Sequence, residues 1–394
     1  MSGIVLSASV RQNLLSLQST ADLLATTQNR LATGKKVNTA LDNPTNFFTG
    51  QGLDNRANDI SNLLDGIGNG VQVLQAANTG LTSLQKLVDT ARSIANQVLQ
   101  TTVGYTSKST AVSAANAGAV DTNLLGGTGL ASADTLLIAS TGGGTATSIT
   151  FGVAAGQVST LTQLNAALAA NNLQASVDNS TGKISITTTN DAASSTIGAV
   201  TGTAAGAGKA FNAVTPSAPI ADPASQAIRS NLVSQYNNIL AQITTTAQDS
   251  SFNGINLLNG DVLKLTFNET GKSTLNITGV TYNATGLGLS TLVSGTDFLD
   301  NISANKALTA LSAASTTLRT EASTLGSNLS IVQIRQDFSK NLINVLQTGS
   351  SNLTLADTNE EAANSQALST RQSIAVSALA LSNQAQQSVL QLLR

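Results

Sequence analysis

Four carboxylates in the middle of the chain, Asp121, Asp134, Asp178 and Asp191, are of a type suited to general acid–base work. A pair of carboxyl groups flanking a glycosidic bond can hydrolyse it. These four are scattered, and Asp178 opens a turn that runs to Gly182, so solvated turn and loop positions account for them better than a catalytic pair. Composition closes the other routes. The 394 residues include no His, no Cys and no Trp. That removes Ser-His-Asp and Cys-His nucleophile systems, zinc centres of the usual Cys/His kind and the HExxH peptidase helix. The chain reads as a non-enzyme without cofactor or metal.

Formal charge is −2, so no net field draws the chain to nucleic acid or to an anionic membrane, and neither partner is expected. Charged residues make up only 10%, which is low for a soluble monomer, so the surface either relies on Ser, Thr, Asn and Gln or is buried in an assembly. No apolar run reaches membrane-spanning length. The opening MSGIVLSASVRQ has neither a basic start nor a cleavage site, so no cleaved signal peptide is expected. The absence of Cys suits either a cytosolic or an external home.

What the chain has in abundance is helical periodicity. Val10, Leu14, Leu17, Ala21, Leu24, Gln28 and Leu31 follow heptad spacing, predicting a first helix over 7–33 that Gly34 ends. Asn43-Pro44 is read as a break, which leaves 35–50 as a connector. A second helix is predicted over 53–100, about 70 Å long at 1.5 Å per residue. Its row at period seven is Ile60, Ile67, Leu74, Leu81, Val88 and Ala95, with Val73, Ala77, Leu84, Leu87, Ala91, Ile94 and Val98 beside it. Heptads stop between 104 and 221, where charge is sparse and Gly and Ala are frequent. A β-β-α-β-β pattern lies there, with Ile149, Phe151, Val153, Leu164, Leu168, Val177, Ile184 and Ile186 as its expected core.

Helix resumes near Ala224 after the Asp222-Pro223 start signal. SFNGINLLNG and a β-hairpin follow, the hairpin carrying Leu263, Leu265, Phe267, Leu275 and Ile277 on its apolar face. A long helix over 302–346 carries Leu318, Leu325, Leu329 and Val332 in a heptad row that suits a coiled-coil partner, with 53–100 its natural mate. The last 44 residues have two adjacent apolar rows. One is Ala367, Ile374, Leu381 and Ser388 with Ala378, Ala385 and Leu392. The other is Leu368, Ala375, Ser382 and Val389 with Leu379 and Leu393. Two rows mean neighbours on two sides. The residues leave two readings open: a hairpin of terminal helices closing a bundle, or terminal helices that order only on assembly.

These features resemble bacterial flagellin. LQSTADLLATTQNRLATGKKVNTALDNP looks like the family's first block, with its LxxGxxxxxA segment at Leu31 to Ala40. SFNGINLLNG looks like the loop before the family's hairpin, TLGSNLSIVQIRQDF like the start of its C-terminal block and ALALSNQAQQSVLQLLR like the end. Three departures stand out. LDNPTNFF replaces an acidic-Ala-Gly run, the insert precedes the helix after Ala224 instead of following the hairpin, and LQKLVDTARS stands where receptor-recognised flagellins carry LQRVRELAVQ.

The resemblance implies a mainly α fold, with long antiparallel coiled-coil rods formed by both chain ends, a β-hairpin and a small inserted α+β outer domain. It implies three parts: a terminal-helix core domain of 1–43 and 351–394, a rod-and-hairpin domain of 44–103 and 222–350, and an inserted variable surface domain at 104–221. The assembly seam of the core would be Val10, Leu14, Leu17, Leu24, Leu31, Ile374, Leu379, Leu381, Val389, Leu392 and Leu393. The rod seam would be Ile60, Ile67, Leu74, Leu81, Val88, Leu318, Leu325, Leu329 and Val332. The implied function is a structural subunit polymerising into the flagellar filament for motility, outside the cell, exported without a cleaved signal. Implied partners are copies of itself, an export chaperone, and cap and hook-associated proteins. A hook–filament junction protein is the alternative, followed by an adhesin carried on the insert.

Overall fold

The computed structural model describes residues 8–392, and the side chains of all of these except 386 and 389–392. Helix α1 spans Ala8–Thr33 and stops where Gly34 takes φ +68°, which an L side chain resists. Helix α2 runs Pro44–Gln100, starting nine residues before the expected Leu53. Proline is at home in the first turn of a helix, where its missing N–H has no partner to lose. Asn43 Oδ1 accepts the Asn46 N–H at 3.0 Å. The Asn-Pro pair therefore starts the helix, and the connector shortens to 34–43.

Then follow the strands β1 (Tyr105–Ser107), β2 (Thr110–Val112), β3 (Thr135–Ile138) and β4 (Thr147–Thr150), helix α3 (Leu161–Leu168), and the strands β5 (Leu173–Asp178), β6 (Lys183–Thr188), β7 (Val200–Thr201) and β8 (Ile220–Ala221). Helix α4 (Pro223–Asp249), the strands β9 (Val262–Thr266) and β10 (Thr274–Thr278), and helices α5 (Asn301–Thr354) and α6 (Thr358–Leu392) complete the chain. Helix α5 passes straight through Gly349-Ser350, which the sequence reading placed beyond its end. An interior Gly costs only about 1 kcal/mol against Ala, and Gly349 lets the helix lie close to Leu53. The break falls at 355–357, where Asp357 Oδ1 accepts the Asn359 N–H at 2.9 Å and so caps α6.

The described residues form two compact units, and α2 and α5 each contribute to both. One unit holds the chain up to Val71, Lys264–Asn276 and the chain from Ser330 onward. Here α1 packs on α6. Their connectors pair as well: Lys36 N–H donates to the Thr354 carbonyl at 2.8 Å and Ala356 N–H to that of Gly34 at 3.0 Å. Ala57, Ile60 and Leu346 are buried together, flanked by Leu53, Leu342 and Ile343. Arg56 pairs with Glu269 at 2.7 Å.

The other unit holds 72–263 and 277–329. Its helical part buries Leu74, Leu84 and Val88 of α2, Leu232, Tyr236 and Ile243 of α4, and Leu311 and Leu318 of α5. Within 104–221, two three-stranded antiparallel sheets form, ordered β2-β6-β5 and β4-β3-β7. Thr160 and Gln163 close a capping box on α3. Leu136, Ile138, Ile149, Phe151, Leu164, Leu168, Ile184, Ile186 and Phe211 make the core, and Val177 packs half-buried against it. Val153, expected in that core, is exposed. Gly152 at φ +151° turns the chain after Phe151 and ends the alternation there.

Candidate functional site

The pairing face of α1 carries Val10, Asn13, Leu17, Thr20, Leu24 and Thr27, buried or half-buried against α6. Its heptad is phased differently from the run of apolar residues. Val10, Leu17 and Leu24 face the partner as expected, but the alternate positions are Asn13, Thr20 and Thr27, with Leu14 and Gln28 exposed and Ala21 half-buried beside them. Thr20 can be buried because its hydroxyl donates to its own helix, at the Ser16 carbonyl, 2.8 Å away. Leu14 and Leu31 lie on the flank, exposed, as do Leu15 and Leu23.

On α6 the inward row is Glu361, Ser365, Leu368, Gln372, Ala375, Leu379 and Ser382. Arg30 meets Glu361 at 3.3 Å across the pair. The neighbouring row faces away: Ile374 is 64% and Leu381 69% exposed, with Ala367, Ala378 and Ala385 also exposed. Val389, Leu392 and Leu393 lie outside the residues whose side chains are described. The paired helices thus cover one row and leave a more apolar one open.

The rod-seam residues are buried throughout α2: Ile60, Ile67, Leu74, Leu81 and Val88 are each 2% exposed or less. On α5 Leu318, Leu325 and Val332 are buried and Leu329 half-buried. The polar interruptions are absorbed differently. Gln85 Nε2 donates to Ser315 Oγ at 2.9 Å, while Asn78 and Arg92 are exposed. Three of the four carboxylates weighed for catalysis have hydrogen-bond or ion-pair partners of their own. Asp178 accepts from the Ser180 and Thr181 hydroxyls, which holds it down at about 2. Asp134 pairs with Lys209 at 2.9 Å, and Asp121 Oδ1 accepts the Thr122 N–H.

Comparison with known proteins bears on both ends of the chain. The model of the bacterial flagellin N-terminal helical region matches residues 5–118, and that of the C-terminal helical region matches residues 308–393. The chain belongs to the bacterial flagellin family. Among curated relatives, flagellin FljM of Caulobacter vibrioides is 32% identical over 165 residues, covering 41% of this chain and 59% of that protein. Flagellin FljK of the same organism is 30% identical over 165 residues with the same coverage. The chain thus spans 59% of the length of these flagellins.

Two features of this flagellin-family chain escaped sequence reading. SFNGINLLNG is a helix-end device. Asn253 and Gly254 turn the chain with φ +50° and +79°, and Asn256 Nδ2 then donates to the Ala247 and Gln248 carbonyls, both at 2.8 Å, closing the end of α4. The second is Arg229, fully buried on α4. It donates to four backbone carbonyls: Thr102 at 2.7 Å, Phe298 at 2.6 Å, Val98 at 3.1 Å and Thr101 at 2.8 Å. Three of these belong to the last turn of α2 and its exit, where carbonyls lack helical partners and the helix dipole favours a cation. Burial lowers the Arg229 pKa, and the negative charge of Asp300 opposes that shift. The Asp222-Pro223 start signal and the apolar rows of Leu232, Tyr236, Ile239 and Ile243 and of Val233, Leu240 and Ala247 pointed to this helix, but not to the arginine. A lone Arg at position 229 carries no spacing that announces burial.

Proposed function

We propose that this chain is a structural subunit that polymerises with copies of itself into the bacterial flagellar filament, outside the cell, its terminal helices forming the filament core. One observation carries the reading. Helix α6 has two apolar rows, and the chain covers only the one with Leu368, Ala375 and Leu379, leaving Ile374 and Leu381 open. Burying each large side chain against a neighbour contributes about 1.5–3 kcal/mol. The inward face, with Asn13, Thr20, Thr27, Ser365 and Gln372, is polar enough to keep the α1–α6 pair weak and exchangeable. The core seam would be Val10, Leu14, Leu17, Leu24 and Leu31 with Ile374, Leu379 and Leu381.

The terminal core would comprise 1–43 and 351–394, and the surrounding layer 44–103 and 222–350. The heptad rows of α2 and α5 support an antiparallel coiled coil in that layer. Residues 104–221 would face outward. Partners beyond the chain's own copies are the export chaperone, cap and hook-associated proteins that the family implies. The test is truncation after Leu355. The product should remain folded and monomeric, and electron microscopy should find no filaments. Normal filaments from it would overturn the proposal.

A further inference from the structure

The 104–221 insert meets the helical part of its unit at a second place besides its two chain crossings. The start of α5 has first-turn N–H groups with no helical acceptor. Asn301 N–H donates to the Asn190 carbonyl and Ile302 N–H to the Asp191 carbonyl, both at 3.2 Å. Ser194 Oγ donates to Asp300 Oδ2 at 2.5 Å, and the other oxygen of Asp300 accepts the Ser303 N–H at 3.4 Å. The 190–194 segment is itself held, since Lys108 Nζ donates to Asn190 Oδ1 at 3.1 Å. At the chain crossings, β1 pairs with β8, Asp222 N–H donates to the Gly104 carbonyl at 2.9 Å and Gly104 N–H to that of Leu299 at 3.3 Å. Gln226 Nε2 adds a second donor to the Gly104 carbonyl at 3.0 Å.

We propose that the insert is the N-terminal cap of α5, keyed to the helix start through 190–194, so that displacing the insert frays the first turn of the helix. The two chain crossings then act as fixed joints, and the insert cannot swivel freely. A cap of this kind protects only the amides it accepts from, so the effect is confined to the helix start.

Hydrogen–deuterium exchange on the full chain tests this. Replacing 109–216 by a short Gly/Ser linker keeps β1 and β8 while removing 190–194. Amides of Asn301 and Ile302 should then exchange about fivefold to tenfold faster, the equivalent of one lost cap, with 311–325 unchanged. Ser194→Ala, which keeps the whole insert, should speed the same amides by a smaller factor and serves if the deletion does not fold. Unchanged exchange at Asn301 and Ile302 in the folded deletion, or in Ser194→Ala where the deletion does not fold, overturns the proposal.

Discussion

Arg229 Nη2 lies 2.8 Å from the carbonyl oxygen of Thr101, so a side chain of α4 closes the end of α2. The same guanidinium reaches the Phe298 carbonyl, and Phe298 is a buried aromatic held at φ +62° with its ring edge-on to Tyr236. One cation therefore fixes a helix end and an unfavourable backbone conformation at once. Arg229→Ala would leave several buried carbonyls unpaired, each costing about 1–3 kcal/mol. A loss of about 3 kcal/mol or more in urea unfolding is expected. Arg229→Lys should recover only part of it, because an ammonium cannot serve the same fan of acceptors. An unchanged midpoint in Arg229→Ala would remove the clasp from the account.

Two glycines should respond in opposite directions. Gly326 lies inside α5 with open space where a Cβ would stand, so Gly326→Ala should stabilise by about 0.5–1 kcal/mol. Gly80 lies inside α2, where a Cβ would collide with the Ser250 hydroxyl and come within 2.6 Å of Leu258 Cδ1. Gly80→Ala should therefore destabilise despite its better helix propensity, as the loop after α4 is pushed off α2. Thermal unfolding of the two variants should move the midpoint up for residue 326 and down for residue 80.

Burial pushes the Tyr236 phenol up to about 12 from its ordinary 10.0. A phenol whose folded pKa is raised keeps its full stabilising share below pH 10 and loses it as pH rises through about 12. Chemical denaturation of the full chain should lose about 2–3 kcal/mol across that window from this group alone. Tyr236→Phe should flatten that part of the slope. Tyr282 adds to the same slope, since burial and then the hydrogen bond to Glu321 also raise its pKa. An identical alkaline slope in wild type and Tyr236→Phe would show that Tyr236 ionises as an ordinary surface tyrosine.

The periodic elements were legible because their signal is repeated. The row from Ile60 to Val88 recurs at seven residues, and every member is buried. Elements that depend on one contact were not. The Asn43-Pro44 pair looks the same whether it precludes a helix or opens one, and only the Asn43 cap on Asn46 decides. On α1, leucine spacing pointed to Leu14 and Leu31, whereas packing buries Thr20 and Thr27; the Thr20 hydroxyl returns to its own helix, and a partner need not take the most apolar face. Arg229 and the insert's contact at Asn301 rest on residues far apart in sequence, where local pattern is silent.

The two rows of α6 give the sharpest separation. Leu379 lies on the row against α1, half-buried, and Leu381 on the open row at 69% exposure. An unpaired charge placed at Leu379 is partly desolvated already in the single chain and costs about 1 kcal/mol or more. Leu379→Asp should loosen the α1–α6 pair, seen as lower helicity and faster amide exchange over 10–27 and 365–382, and it should also abolish polymerisation. At Leu381 the same charge sits in water until a neighbour arrives. Leu381→Asp should leave helicity and exchange of the isolated chain as they are, while raising the concentration needed for polymerisation by at least tenfold, the equivalent of about 1.4 kcal/mol lost per added subunit. Sedimentation of polymer against protein concentration, with exchange measured on the soluble fraction, reads both effects. If Leu381→Asp polymerises like the parent chain, the open row is not the surface that neighbours cover.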